Sequence, residues 1–207
     1  MLEEAKRRIF EDIAGHKVQY LLLVFFLVVG ITAGMFTVSN MQVEKKEALG
    51  GYAGLVLFSI KTLPLDHWRI FFHAFLLNTL YYGALAFFSM ITLGLVLINA
   101  ILIMKGFCVG FAVGVLFLDF TVGGILAVAA CVLIPNLIML PCICKAGVLC
   151  INHSVTVLKS RRIPSTAHER VVCAAPHFRR LFAVYTVSLL GITLQSTLMP
   201  VLMQLIL

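Results

Sequence analysis

The stretch VQYLLLVFFLVVGITAGMFTV, residues 18–38, contains 21 residues and no charged side chain. A helix needs about 20 consecutive apolar residues to cross the hydrocarbon core of a bilayer. The stretch therefore predicts a transmembrane helix. Gly30 and Gly34 lie four residues apart within it, so they share one face of that helix.

The composition of the whole chain agrees with this stretch. Of the 207 residues, 61% are hydrophobic and only 12% are charged, and the mean hydropathy is +1.06. A soluble domain carries about 25% charged residues. We therefore predict an all-α, polytopic helical membrane protein that forms a single integral membrane domain over residues 1–207.

Two polar segments flank the first apolar stretch. Residues 1–17 carry four basic and four acidic side chains with apolar residues at helical spacing, and no clear cleavage site follows. This segment is predicted to be amphipathic and cytoplasmic, and the first span a retained anchor. Residues 39–69 mix charges, glycines and a proline, and their apolar middle, about 53–60, is too short to cross. We predict an extracytoplasmic interfacial segment, with Trp68 as a membrane anchor.

The rest of the chain predicts further spans. Residues 70–118 contain one charged residue, Lys105, and are long enough for two spans with a tight turn near 92–94. Residues 121–158 contain Pro135 and Pro141, which predict a helix broken at these two prolines. Whether this region crosses once or re-enters stays open. A last span is predicted at 181–200.

The distribution of basic residues predicts the topology. Residues 159–180 carry six basic side chains and one acidic one, which is typical of a cytoplasmic loop. Since residues 1–17 are also predicted to be cytoplasmic, an even number of spans must separate the two segments. Four spans before the loop and one after it give about five transmembrane helices, with a cytoplasmic N-terminus. Two crossings within 121–158 would instead place the basic loop outside.

A stripe of glycines follows Lys105 in the stretch KGFCVGFAVG, residues 105–114. Glycines four residues apart lie on one helix face and let another backbone approach closely, which is how helices associate in lipid. Together with the pair in the first span, they are predicted to be helix-packing or partner-interface residues: Gly30, Gly34, Gly106, Gly110 and Gly114.

Lys105 falls near the middle of its predicted span, where a charge is costly. It either serves a function, as part of a pore, a proton site or a buried ion pair, or it reaches the interface from a kinked helix. The predicted intramembrane polar or kink residues are Lys105, Pro135, Asn136 and Pro141.

The sequence predicts no catalytic, cofactor-binding or metal-binding residues. It has no HExxH motif, no GxxxxGK[ST] loop and no carboxylate pair inside an apolar run. The six cysteines lie mostly in apolar runs and are interpreted as small apolar residues. The net charge of +7 points to membrane lipid as a partner and not to nucleic acid.

The stretch KGFCVGFAVGVLFLDFTVGGILAVAACVLIPNLIMLP, residues 105–141, resembles the stage II sporulation protein M family of spore-forming bacteria. The resemblance lies in a lysine–glycine pair that opens a glycine-rich helix, followed by an apolar run and the element Pro135-Asn136-Leu137 with Pro141 beyond it. The order of basic N-terminus, first span, basic loop and final span agrees as well.

The resemblance implies a non-enzymatic membrane component of the engulfment machinery. Such a protein would lie in the mother-cell membrane at the sporulation septum and anchor stage II sporulation proteins D and P, which degrade septal peptidoglycan. Whether the protein forms a homo-oligomer stays open. The residues alone leave a second hypothesis, a membrane subunit of a transporter or ATPase-driven exporter, which rests on Lys105, Asn136 and the predicted broken helix.

Overall fold

The computed structural model describes residues 14–62, 67–91, 93–118, 134–160 and 167–206. All regular secondary structure in these ranges is helical. The six helices are α1 (Lys17–Ser39), α2 (Val43–Thr62), α3 (His67–Ser89), α4 (Gly94–Leu116), α5 (Ile134–Ser160) and α6 (Ala167–Ile206). The prediction of an all-α protein is therefore confirmed.

Four helices in the described part of the chain are long and apolar enough to span a membrane: Lys17–Ser39, Trp68–Ser89, Gly94–Leu116 and Ile134–Leu158. They coincide with the first four predicted spans, so the chain is a polytopic membrane protein. The predicted last span, 181–200, lies within the 40-residue helix α6. A total of five crossings stays a prediction. The 20-residue helix α2, which falls in the predicted interfacial segment, does not meet the same criteria.

Apart from α2, successive helices along the chain alternate in direction. α1 runs parallel to α4, because Leu27 lies beside Gly106 and Val38 lies beside Gly114 further along. α5 runs opposite to α1, since Gln19 donates a hydrogen bond to Asn152 at 2.8 Å, whereas Leu23, further along α1, lies beside the earlier residue Gly147 of α5.

α6 runs opposite to both α3 and α5. The hydroxyls of Thr79 and Tyr185 are 2.6 Å apart, whereas Ser89 is paired with His177. Gly191 of α6 lies beside Met139 of α5, whereas the earlier residue His177 of α6 stacks on the later residue His153 of α5. α6 thus packs lengthwise beside two candidate spans. Its direction, opposite to theirs, agrees with the predicted topology.

The core lies where α1, α3, α4 and α5 meet, and Leu181 of α6 packs into it as well. Its fully buried side chains are branched aliphatic residues and a cysteine: Leu23, Leu85, Ile98, Leu102, Val148 and Cys150. Large apolar side chains also cover the outside of the bundle, as Phe25 and Phe36 do on α1. Lipid tails are as apolar as these side chains, so their exposure carries no penalty in a membrane.

Two predictions about local structure are wrong. Pro141 lies inside α5, which continues from Ile134 to Ser160, so the predicted break is absent at that residue. A proline removes one helical hydrogen bond, a loss that a packed membrane helix can absorb. Within the predicted loop 159–180, residues 167–180 are helical, because α6 begins at Ala167. Its alanines and charged residues are good helix formers. The prediction of a loop rested on the polarity of the segment and did not consider helix propensity. Residues 1–13 of the predicted cytoplasmic segment lie outside the described residues.

Candidate functional site

The structure brings all five predicted packing glycines into one contact between α1 and α4. A β-carbon added at Gly34 would lie 2.6 Å from the backbone nitrogen of Phe111. One added at Gly110 would lie 2.7 Å from the carbonyl carbon of Ile31. Real β-carbons essentially never come this close to another heavy atom. The two backbones therefore touch directly, and only glycine fits.

The contact has a regular register. Gly30 faces the backbone at Ile103 and Phe107, and Gly106 lies against the backbone of Leu27. Gly114 ends the stripe, where an added β-carbon would be 3.1 Å from the side chain of Val38. Such close approach of two helices brings many backbone atoms into van der Waals contact, which drives association in lipid.

This register leaves the glycine stripe of α4 covered by the chain's own first helix. Gly106 and Gly110 are buried, as are Gly30 and Gly34. The rings of Phe107 and Phe111 stack beside the stripe at 6.1 Å. A partner chain would therefore have to displace α1 to use this face.

Lys105 lies midway along α4, one residue before the first glycine of the stripe. Its ammonium nitrogen lies 4.8 Å from the ring centroid of Tyr81 on α3, a cation–π contact. The Tyr81 hydroxyl is in turn 3.8 Å from the sulfur of Cys108. No ion pair of Lys105 occurs within the part of the chain that the structure describes, and Asp119 lies outside that part. The aromatic face of Tyr81 is thus what stabilises the charge on the protein side.

The other predicted polar and kink residues lie at the start of α5. Pro135 is the second residue of the helix and is buried, while Asn136 is half-buried. Proline suits the first turn because its missing N–H has no helical partner there. Lys105 lies on α4, and the structure describes no contact between it and Pro135, Asn136 or Pro141.

One group of polar residues could not be recognised from the sequence. The polar end of the bundle comprises Gln19, Ser89, Asn152, His153, Ser154 and His177. The imidazole rings of His153 and His177 stack nearly parallel, 4.1 Å apart with a 7° tilt. The Ser89 hydroxyl lies 3.4 Å from His177, and Ser154 donates to the carbonyl of Ile91 at 3.1 Å. These residues come from four helices, so their spacing in the sequence gives no signal.

A basic residue, Arg180, lies close to the histidines at the polar end. Arg180 follows His177 by one helical turn, and burial, the nearby His153 and Arg180 together lower the pKa of His177 to about 4. A cavity of about 520 Å³ opens here. A larger, mostly apolar cavity of about 700 Å³ lies between α1, α5 and α6.

The described residues contain no group of three or more His, Cys, Asp or Glu side chains that could hold a metal ion. What they do contain is a bundle of lipid-exposed helices, joined by one glycine contact and closed at one end by polar pairs. These features define a polytopic α-helical membrane protein.

The family model of stage II sporulation protein M matches residues 22–199. The match covers most of the chain and overlaps every candidate span, so the chain belongs to this family, and the resemblance carried by residues 105–141 is confirmed. It is therefore a sporulation-related membrane protein. Neither the curated proteins nor the solved structures give a match.

Proposed function

We propose that this protein is a non-enzymatic membrane anchor for the septal peptidoglycan-degrading complex that drives engulfment during endospore formation. Its partners in this proposal are stage II sporulation proteins D and P, and it lies in the mother-cell membrane with its N-terminus in the cytoplasm. The observation that carries the proposal is the family match over residues 22–199.

The way the bundle is packed indicates which surfaces an anchor would offer. The glycine stripe is occupied by α1, so a partner helix has the outward faces available. α3 exposes a row of large apolar side chains at helical spacing: Phe72, Leu76, Leu80 and Phe87. Apolar side chains on a helix in lipid can pack against another helix once smaller residues or good shape complementarity bring the two together.

The test is genetic and microscopic. In a spore-forming host whose own copy is this chain, its removal is expected to disperse fluorescently tagged proteins D and P from the septum and to halt membrane migration around the forespore. The wild-type chain should restore both. Normal engulfment in its absence, with D and P still at the septum, would contradict the proposal.

A transporter subunit is the second candidate, favoured by the charge of Lys105 midway along a candidate span. Ionisable residues inside a membrane often mark an ion or substrate pathway. Flux through proteoliposomes containing the protein, compared with the Lys105→Met variant and with empty vesicles, separates the two candidates. An anchor is expected to give no flux above empty vesicles, whereas flux that disappears in Lys105→Met would favour transport.

A further inference from the structure

The cavity of about 520 Å³ at the polar end lies between the start of α1, the second half of α5 and the first part of α6. Its polar lining residues are His16, Asn152, His153, Thr156, His177 and Arg180. It is thus lined by an arginine, three imidazoles, an amide and a hydroxyl, and by no carboxylate among the described residues.

The depth of the cavity matches the boundary between lipid and water. His16 immediately precedes the first candidate span, Lys17–Ser39, and Arg180 immediately precedes the predicted last span, 181–200. Groups that directly flank membrane spans lie at the level of lipid headgroups. The cavity therefore opens where phosphate groups of the bilayer are found.

The charge around the cavity is positive. Arg180 carries a permanent charge on a planar guanidinium that suits phosphate oxygens. The carboxylates whose side chains the structure describes, Glu44 and Glu47, lie on α2, which follows the opposite end of α1. Glu169 lies on α6, 11 residues before Arg180 and thus about 16 Å away along the helix. An anion in the cavity would thus meet attraction from Arg180 without repulsion from either of them.

Hydrogen-bond donors are also present. The Asn152 side-chain oxygen accepts a bond from Gln19 at 2.8 Å, which orients the amide and leaves its NH₂ group as the remaining donor. The stacked rings of His153 and His177 form part of the cavity wall. Basic pockets between transmembrane helices are a recurring way to bind acidic lipid headgroups.

From this arrangement we propose that the cavity binds the phosphate of an anionic phospholipid, with the guanidinium of Arg180 and the amide of Asn152 as the contacts to its oxygens. The lipid would tie the start of α1 to α5 and α6 at the polar end.

The test uses the full-length protein in nanodiscs made from equal parts of phosphatidylglycerol and phosphatidylcholine. Native mass spectrometry counts the lipids that stay bound after the protein is released. The wild type is expected to retain phosphatidylglycerol in preference to phosphatidylcholine, and Arg180→Gln to reduce this retention at least about fivefold. Arg179→Gln is the matched control: it removes the same charge one residue away, from a side chain that lines a different cavity, between α3 and α6. It should change retention less than about twofold.

Equal losses in the two arginine variants, or no preference of the wild type for phosphatidylglycerol, would overturn the proposal. Asn152→Ala provides a second variant that leaves the net charge unchanged, and it is also expected to lower retention. Inorganic phosphate is titrated separately. If it displaced phosphatidylglycerol and its own binding depended on Arg180, the site would belong to a soluble phosphate compound and the lipid assignment would be wrong.

Discussion

The contacts α1–α4 and α5–α6 both place a glycine against a neighbouring helix, but the neighbouring atoms differ. At Gly110 an added β-carbon would meet the backbone of Ile31, with its α-carbon at 2.8 Å. At Gly191 the nearest atom would be the γ-carbon of Met139, also at 2.8 Å. A backbone in a packed helix cannot move away, whereas a methionine side chain has other rotamers. Similar distances therefore predict very different tolerance to substitution.

The largest effect is expected for Gly110→Ala. Its methyl group would have to separate α1 from α4 along the whole glycine stripe, so we expect a loss of about 3 kcal/mol or more in unfolding free energy. Unfolding in mixed detergent micelles, followed by circular dichroism, measures this loss. A variant within about 0.5 kcal/mol of the wild type would show that the two helices are not in backbone contact.

Acid is expected to act on the α5–α6 contact and not on α1–α4. The folded state lowers the pKa of His177 from its usual 6.5 to about 4, because the side chain is buried and lies near His153 and Arg180. Folding thus favours the neutral ring. The unfolded chain takes up a proton below pH 6.5 and the folded chain does not, so stability should fall between about pH 6.5 and pH 4.

Thermal unfolding across this pH range measures the effect. His177→Phe keeps an aromatic ring in place without a titrating group, and its melting temperature should depend less on pH. An identical pH profile in the two proteins would mean that His177 does not titrate as described.

A smaller effect is expected for Gly191→Ala. Met139 can adopt another rotamer, so the loss in unfolding free energy should be about 1 kcal/mol or less. The same detergent assay measures it beside Gly110→Ala. A loss as large as that of Gly110→Ala would erase the distinction between the two contacts.

The smallest effect is expected for Gly83→Ala on α3, where nothing lies within 4 Å of an added β-carbon. Alanine is the better helix former, so stability should stay the same or rise by up to about 1 kcal/mol. This variant is the baseline for the other two, and a clear loss of stability would reveal a contact that the structure lacks.

Much of the fold could be predicted from hydropathy, because the thickness of the bilayer requires about 20 apolar residues in each spanning helix. The turn between α3 and α4 falls where it was predicted, with the helices ending at Ser89 and starting at Gly94. The helical start of α6 could not be read in the same way. A polar stretch that follows an apolar one resembles a loop by composition, even when its residues continue as a helix.

The glycine contact could be predicted only in part. A four-residue spacing shows which glycines share a helix face, but it does not show which helix lies opposite. The structure shows that α1 lies against the glycine stripe of α4. The two helices are parallel, and Gly30 and Gly34 of α1 face that stripe. The pairing of Ser89 with His177 was missed because the two residues are distant in the sequence and lie on different helices.

The most direct test of the α1–α4 contact is a disulfide between Val38→Cys and Gly114→Cys. A β-carbon at residue 114 would lie 3.1 Å from that of Val38. This is slightly shorter than the usual separation of about 3.5–4.5 Å in disulfides, and replacing valine by cysteine relieves the crowding. Protein labelled with heavy isotopes and unlabelled protein are expressed in separate cultures, mixed in detergent and reconstituted into one set of vesicles. They are then oxidised together, and the cross-linked peptides are weighed. An internal contact predicts only heavy–heavy and light–light pairs, whereas mixed pairs would show that the stripe binds a second chain.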